Sequence, residues 1–162
     1  MPDLTVPTVL AALVLLILLG QWVVQRRAQS MRGQVVPQAL VATLVAESPA
    51  MVVAAESPHF AALNALIEFG SPNCSACRRM APALAKLSAQ YPGRVIHLSV
   101  VNHRTLAQTL RIMGTPTLVL IQNGHIAEVF VGITPLARLA EQLKRRWPGI
   151  TPINTEVVGG DV

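Results

Sequence analysis

Cysteine is scarce in this chain: 162 residues contain two, Cys74 and Cys77. That excludes a framework of several disulfides and leaves no set of four thiolates for a zinc knuckle. His59, His97, His103 and His125 would have to complete a metal site, and they show no paired ligand spacing. No metal or other cofactor is expected. Aromatic residues make up only 4% of the chain, too few to interleave with basic residues as a stacking platform for bases. The net charge of +5 and the sequence pI of about 10.2 therefore read as solvated helix faces, and no nucleic-acid partner is expected. No internal repeat is present.

Charge is missing altogether from Val6 to Val24. About 19 apolar residues rising roughly 1.5 Å each nearly match a hydrocarbon core, so residues 6–24 predict a single membrane span, with the lipid bilayer as partner. A cleaved secretory signal is the alternative, with a candidate site near Ala28-Gln29-Ser30. Against it, Met1 to Thr5 carries no basic residue, and the run exceeds the roughly 7 to 15 residues of a signal core. Arg26, Arg27 and Arg32 follow the run, whereas Asp3 is the only charged side chain before it. The positive-inside preference then places the rest of the chain on the cytoplasmic side. The expected organisation is an anchor over 1–24, a juxtamembrane connector over 25–50, a folded domain over 51–147 and a flexible tail rich in Pro, Gly and Thr over 148–162.

The stretch from Gly70 to Pro82 holds both cysteines. It follows an apolar run, Ala65 to Phe69, and opens a segment of helical spacing, so it reads as strand, turn and helix start. Cys74 then sits at the helix N-terminus and Cys77 one turn later on the same face. Unpaired N–H groups and the helix dipole there favour the Cys74 thiolate, the attacking species in thiol–disulfide exchange, and a second thiol in reach resolves the mixed disulfide. A bridge closing so short a loop removes little chain entropy, which suits a redox couple better than a structural staple. Glu68 interrupts the apolar run. On a central strand covered on both faces it is buried, where the neutral carboxyl is favoured and it can pass a proton to a thiol above the strand end.

Further along, Val36 to Glu47 reads as either helix or strand, and Met51 to Ala54 as a strand. Ser57-Pro58 starts a short helix through Phe60 to Leu63. The helix after the cysteines carries Met80, Leu84, Leu87 and Ala89 on its apolar stripe, a kink at Pro82, and a stop at Tyr91-Pro92-Gly93. Val95 to Val101 predicts a second buried strand containing His97. Asn102 or Thr105 caps a helix to about Ile112, with Leu106, Leu110 and Met113 on one face. Pro116 stands before the strand Leu118 to Ile121, where a proline needs an edge, a bulge or a cis bond. Asn123-Gly124 predicts a hairpin with Ile126 to Val131. Thr134-Pro135 caps a last helix with Leu136, Leu139, Ala140 and Leu143 inward and Lys144 to Arg146 at its C-terminus.

This order of elements resembles the thioredoxin family over about Met51 to Trp147. Cys74 and Cys77 match the redox pair, Glu68 the buried acid, Pro82 the helix-kinking proline, Thr115-Pro116-Thr117 the cis-proline loop, and Gly132 the glycine before the final helix. The resemblance implies an α/β thioredoxin-like fold, a central mixed sheet flanked by helices, here with one N-terminal transmembrane helix. It also implies that Cys74 is the nucleophile, Cys77 the resolving thiol and Glu68 the proton relay. Pro116 would be cis and close to Cys74, and the Thr115 backbone would pair with a bound peptide strand. Asn73, Ser75 and Ala76, which flank the thiols, join Thr115 as expected substrate contacts. Asn73 and Ser75-Ala76 replace the Trp and Gly-Pro of the general reductases, His97 replaces a usual Lys and Val101 a usual acid, which implies a different potential and substrate range. The Ser-Pro-Asn-Cys turn behind an N-terminal span is more similar to membrane-anchored members that mature envelope enzymes, including the methylamine-dehydrogenase accessory type.

The expected function is thus a membrane-tethered thiol–disulfide oxidoreductase of a bacterial inner membrane, single-pass. Its partners would be proteins bearing disulfides or thiols, and a protein redox donor or acceptor. The alternative is a non-catalytic assembly or binding subunit of a membrane complex built on the same scaffold. Family analogy favours a periplasmic domain where the charges favour a cytoplasmic one, and the face sets the direction of electron flow.

Overall fold

The computed structural model describes residues 5–47 and 63–153. The strand expected at 51–54 and the short helix expected from Ser57-Pro58 lie outside the described residues. Helix α1 spans Thr5–Gln29. Its Thr8–Arg26 segment, of mean hydropathy 2.2, is long and apolar enough to cross a membrane. The polar residues expected to begin a connector at Gln25 instead continue the helix to Gln29.

The chain then turns and joins the domain. Met31 and Val36 are buried, and Val35 bridges His125 in antiparallel fashion. The Gly33 N–H donates to the Ile126 carbonyl at 2.7 Å, and the Ile126 N–H to the Gln34 carbonyl at 2.9 Å. Helix α2, Gln38–Glu47, resolves a stretch that the sequence left open between helix and strand. Leu40 and Leu44, one turn apart, are 0% and 1% exposed, the signature of a helix with one buried face. Residues expected to form only a connector therefore supply four side chains to the core.

Four strands form a mixed sheet in the order β2-β1-β3-β4: β1 Ala65–Gly70, β2 Val95–Ser99, β3 Thr117–Gln122 and β4 His125–Val131. β1 runs parallel to β2 and antiparallel to β3, and β3 and β4 make the hairpin. Asn123 and Gly124 turn it with φ of 51° and 73°, the paired positive values that a two-residue turn requires. β1 is buried along its whole length. β2, expected to be buried too, is an edge strand of the described sheet and alternates, with His97 outward.

The remaining helices are α3 Ser75–Gln90, α4 Arg104–Thr109 and α5 Leu136–Arg146. Strand alternation splits the core into two layers. Ile67, Phe69, Val119 and Ile121 face Leu40, Leu44, Leu106 and Leu110. Leu66, Leu118 and Leu120 face Met80, Leu84 and Leu87 of α3 and Leu139 and Leu143 of α5. Each such side chain contributes about 1.5–3 kcal/mol of transfer free energy.

Some boundaries differ from expectation. α4 starts after His103, not Asn102 or Thr105, and ends at Thr109; Arg111 then takes φ of 47°. Met113 therefore leaves the helical face and is exposed, as is Ala89 at the end of α3. Pro135, not Thr134, is the N-cap of α5. Of the stretch expected to be a tail, Ile150 packs against the α3 and α5 layer, and the Ile153 N–H donates to the Gln90 carbonyl at 2.9 Å.

Candidate active site

The site gathers at the end of the sheet where β1 stops and β3 begins. After Gly70 the chain turns, and Cys74, in extended conformation with φ of −89°, becomes the N-cap of α3. Its Sγ accepts the Cys77 N–H at 3.0 Å. A free amide of the first helical turn thus points at the sulfur and favours negative charge on it. Cys74 and Cys77 are joined as a disulfide, their Cα atoms 5.2 Å apart. Cys74 is half-buried and Cys77 buried, so the first sulfur is the more accessible of the two. Asn73 and Ser75 are exposed on either side of Cys74, and Ala76 is half-buried.

The opposing wall is the loop before β3. The Thr115–Pro116 bond is cis, and the Thr115 carbonyl oxygen lies 3.5 Å from Cys74 Sγ. Two bonds hold that loop. Thr117 Oγ1 donates to the Gly114 carbonyl at 2.6 Å, and the Gly132 N–H donates to the Pro116 carbonyl at 2.8 Å. Thr115 is half-buried and Pro116 buried.

Glu68 occupies the same face of β1 as Leu66, the face covered by α3, and its neighbour on β3 is Leu118. It is 5% exposed. Its Oε2 lies 2.9 Å from Nδ1 of His97, the directly paired residue on β2. Its Oε1 has no hydrogen-bond partner. The carboxyl is therefore half-satisfied beneath the helix that carries the thiols, with one oxygen tied to an exposed histidine.

His97 was not expected to take part in the site; its pairing register opposite Glu68 was the missing information. Gly70 has a related role that the sequence hid. A Cβ there would stand 2.6 Å from His97 Cε1 and 3.5 Å from Glu68 Oε1, so only glycine leaves room for the pair. A second buried acid was also overlooked: Glu128, inside the otherwise apolar run Ile126 to Val131 of β4, is 5% exposed, and pairs with Arg32 and, at 3.8 Å, with Arg146 of α5. It offered the same signal as Glu68. Among the described residues no cluster of His, Cys, Asp and Glu could hold a metal ion.

The thioredoxin family model matches residues 51–145. This chain belongs to the thioredoxin family. It is 32% identical over 85 residues to a thioredoxin of Synechocystis, covering 51% of this chain and 79% of that protein. It is also 32% identical over 82 residues to a Staphylococcus aureus thioredoxin, covering 49% and 79%. Among solved structures it is similar to yeast mitochondrial thioredoxin 3 in the oxidized form, at 26% identity and a TM-score of 0.47 over 51% of this chain and 78% of that one. An N21Q thioredoxin of Halobacterium salinarum matches at 26% and 0.49 over 59% and 78%. Family membership and the CxxC pair support thiol–disulfide oxidoreductase activity in general terms, with disulfide-bearing proteins as substrates.

Proposed function

We propose that this chain is a membrane-tethered thiol–disulfide oxidoreductase. The observation that carries the reading is the placement of Cys74, which caps α3, accepts the Cys77 amide and stands against the Thr115 carbonyl beside cis-Pro116. The Cys74 thiolate attacks a substrate disulfide and takes one of its sulfurs into a mixed disulfide, releasing the other as a thiolate. Cys77 then attacks Cys74 Sγ and frees the second substrate sulfur. Glu68, buried under α3, takes the Cys77 proton as that attack begins. The Thr115 backbone receives the substrate as a short added strand, with Asn73, Ser75 and Ala76 lining its path.

Tethering rests on α1, and two features support a retained anchor over a cleaved signal. The helix runs unbroken to Gln29, into the candidate cleavage site at Ala28-Gln29-Ser30, and Val24 is half-buried against the folded domain. Trp22 carries Arg26 over its ring at 4.8 Å, a pair suited to a membrane–water interface. The basic residues after the run favour a single-pass bacterial inner-membrane protein with a cytoplasmic domain, kept reduced and acting as a reductase. Insulin reduction by the full chain, with topology reporters fused after Val162, tests both parts. Reduction lost in Cys74→Ser and a cytoplasmic reporter are expected; wild-type inactivity, or a reporter on the other face, overturns the corresponding half.

A further inference from the structure

The anchor leaves the domain at the same end of the sheet as the thiols. Residues 33–36 run antiparallel beside the start of β4, through the Gly33 and Gln34 bonds to Ile126 and the Val35 bridge to His125. Traced back toward the N-terminus, the chain therefore follows β4 in the direction of Val131. Gln25 and Gln29 of α1 border a cleft with Val131, Ile133 and Arg138. Nearer the membrane, Val24 lines a small cavity with Arg111, Met113 and Thr117. Val131 pairs with Thr117, the residue after Pro116, and the Gly132 N–H holds the Pro116 carbonyl. A continuous path thus links the end of the apolar run to the loop that faces Cys74.

The distances are short. From Val24 to Gln29 is about 8 Å of helix, so Met113, Ile133 and the cis-proline loop lie level with the headgroup layer once α1 spans the bilayer. Met113 is 59% and Ile133 52% exposed, and Arg26, Arg111 and Arg138 are exposed close by. Apolar tips among basic side chains suit an anionic membrane surface. Lys86, by contrast, stands toward the far end of α3.

We propose that the active site faces the bilayer, and that its substrates are disulfides in juxtamembrane segments of integral membrane proteins. The proposal rests on the tethered-oxidoreductase reading above. In the step itself, the reduced Cys74/Cys77 pair gives two electrons and two protons to the substrate disulfide, leaving a substrate dithiol and the Cys74–Cys77 disulfide.

The test reconstitutes the pre-reduced full chain in phosphatidylcholine vesicles with a minority of phosphatidylglycerol and follows a single turnover. Two transmembrane peptides carry the same disulfide loop, one immediately after the span, the other beyond a rigid helical spacer of about 20 residues, roughly 30 Å. The near peptide is expected to be reduced at least about tenfold faster. Equal rates, or a faster far peptide, overturn the proposal while insulin reduction leaves the redox reading standing. No reaction with either peptide or with insulin overturns both. A second readout needs no activity: fluorophores on Met113→Cys and Lys86→Cys in a Cys74→Ser, Cys77→Ser background, with headgroup spin-labelled lipid. Quenching at Met113 but not Lys86 is expected; equal quenching, or quenching only at Lys86, contradicts the orientation.

Discussion

Glu68 and His97 face each other across the β1–β2 ladder, Oε2 of the buried acid 2.9 Å from Nδ1 of the exposed imidazole. One carboxylate oxygen is thereby connected to solvent through a ring with 61% side-chain exposure, while the other is unpartnered. A buried acid that is half-satisfied costs stability, and the imidazole is its contact with solvent.

Replacing Glu68 separates its cost in stability from its part in turnover. Glu68→Leu removes an orphaned acceptor and should raise stability by about 1–3 kcal/mol, read from urea melts of the detergent-solubilised chain. Glu68→Gln should slow insulin reduction by about 100-fold, within the usual range for losing a general base. A variant that is both less stable and fully active would remove the carboxyl from the mechanism.

Gly70→Ala should act through His97. The added Cβ would lie 2.6 Å from His97 Cε1, so the exposed ring must swing away and release Glu68. Gly70→Ala and His97→Ala should slow turnover by similar factors, and the double variant should be no slower than either single one. Additive losses would mean that Gly70 acts by another route.

Glu128 should be a structural acid. It joins Arg32, in the turn after α1, to Arg146 at the end of α5. Glu128→Ala removes both ion pairs, whose guanidinium groups are 41% and 33% exposed, and should cost up to about 1 kcal/mol. Thermal melts of the full chain check this, and insulin turnover per folded molecule should stay within about twofold.

Tyr91 supplies the alkaline limit. Burial against Trp147, whose ring lies 5.5 Å away edge-on, pushes its hydroxyl above the ordinary 10.0. The folded state then holds the proton that the unfolded state loses, so this contribution is intact below pH 10.0 and declines above it. Melting midpoints should fall above that pH in the wild type and fall less steeply in Tyr91→Phe.

Much of this was legible in local sequence. The Asn123-Gly124 turn, the Cys74 helix start and the buried strand β1 each follow from signals within a few residues. Glu68 was visible because a charge inside an apolar run demands a reason, and Glu128 was missed although it posed the same demand. What stayed hidden was set by pairing: the register that puts His97 opposite Glu68, the Cβ-free gap at Gly70, and the folding of Met31 to Leu44 onto the domain. α2 is apolar on more than one side, so its periodicity named no face until Leu40 and Leu44 met the sheet.

The sharpest measurement is the site of the covalent intermediate. Cys77→Ser protein, reduced and offered a disulfide-bonded peptide in vesicles, should accumulate a mixed disulfide at Cys74, identified by mass spectrometry of its tryptic fragments. A Cys77→Ser protein that forms no adduct, while wild type still reduces the same peptide, would contradict attack by Cys74.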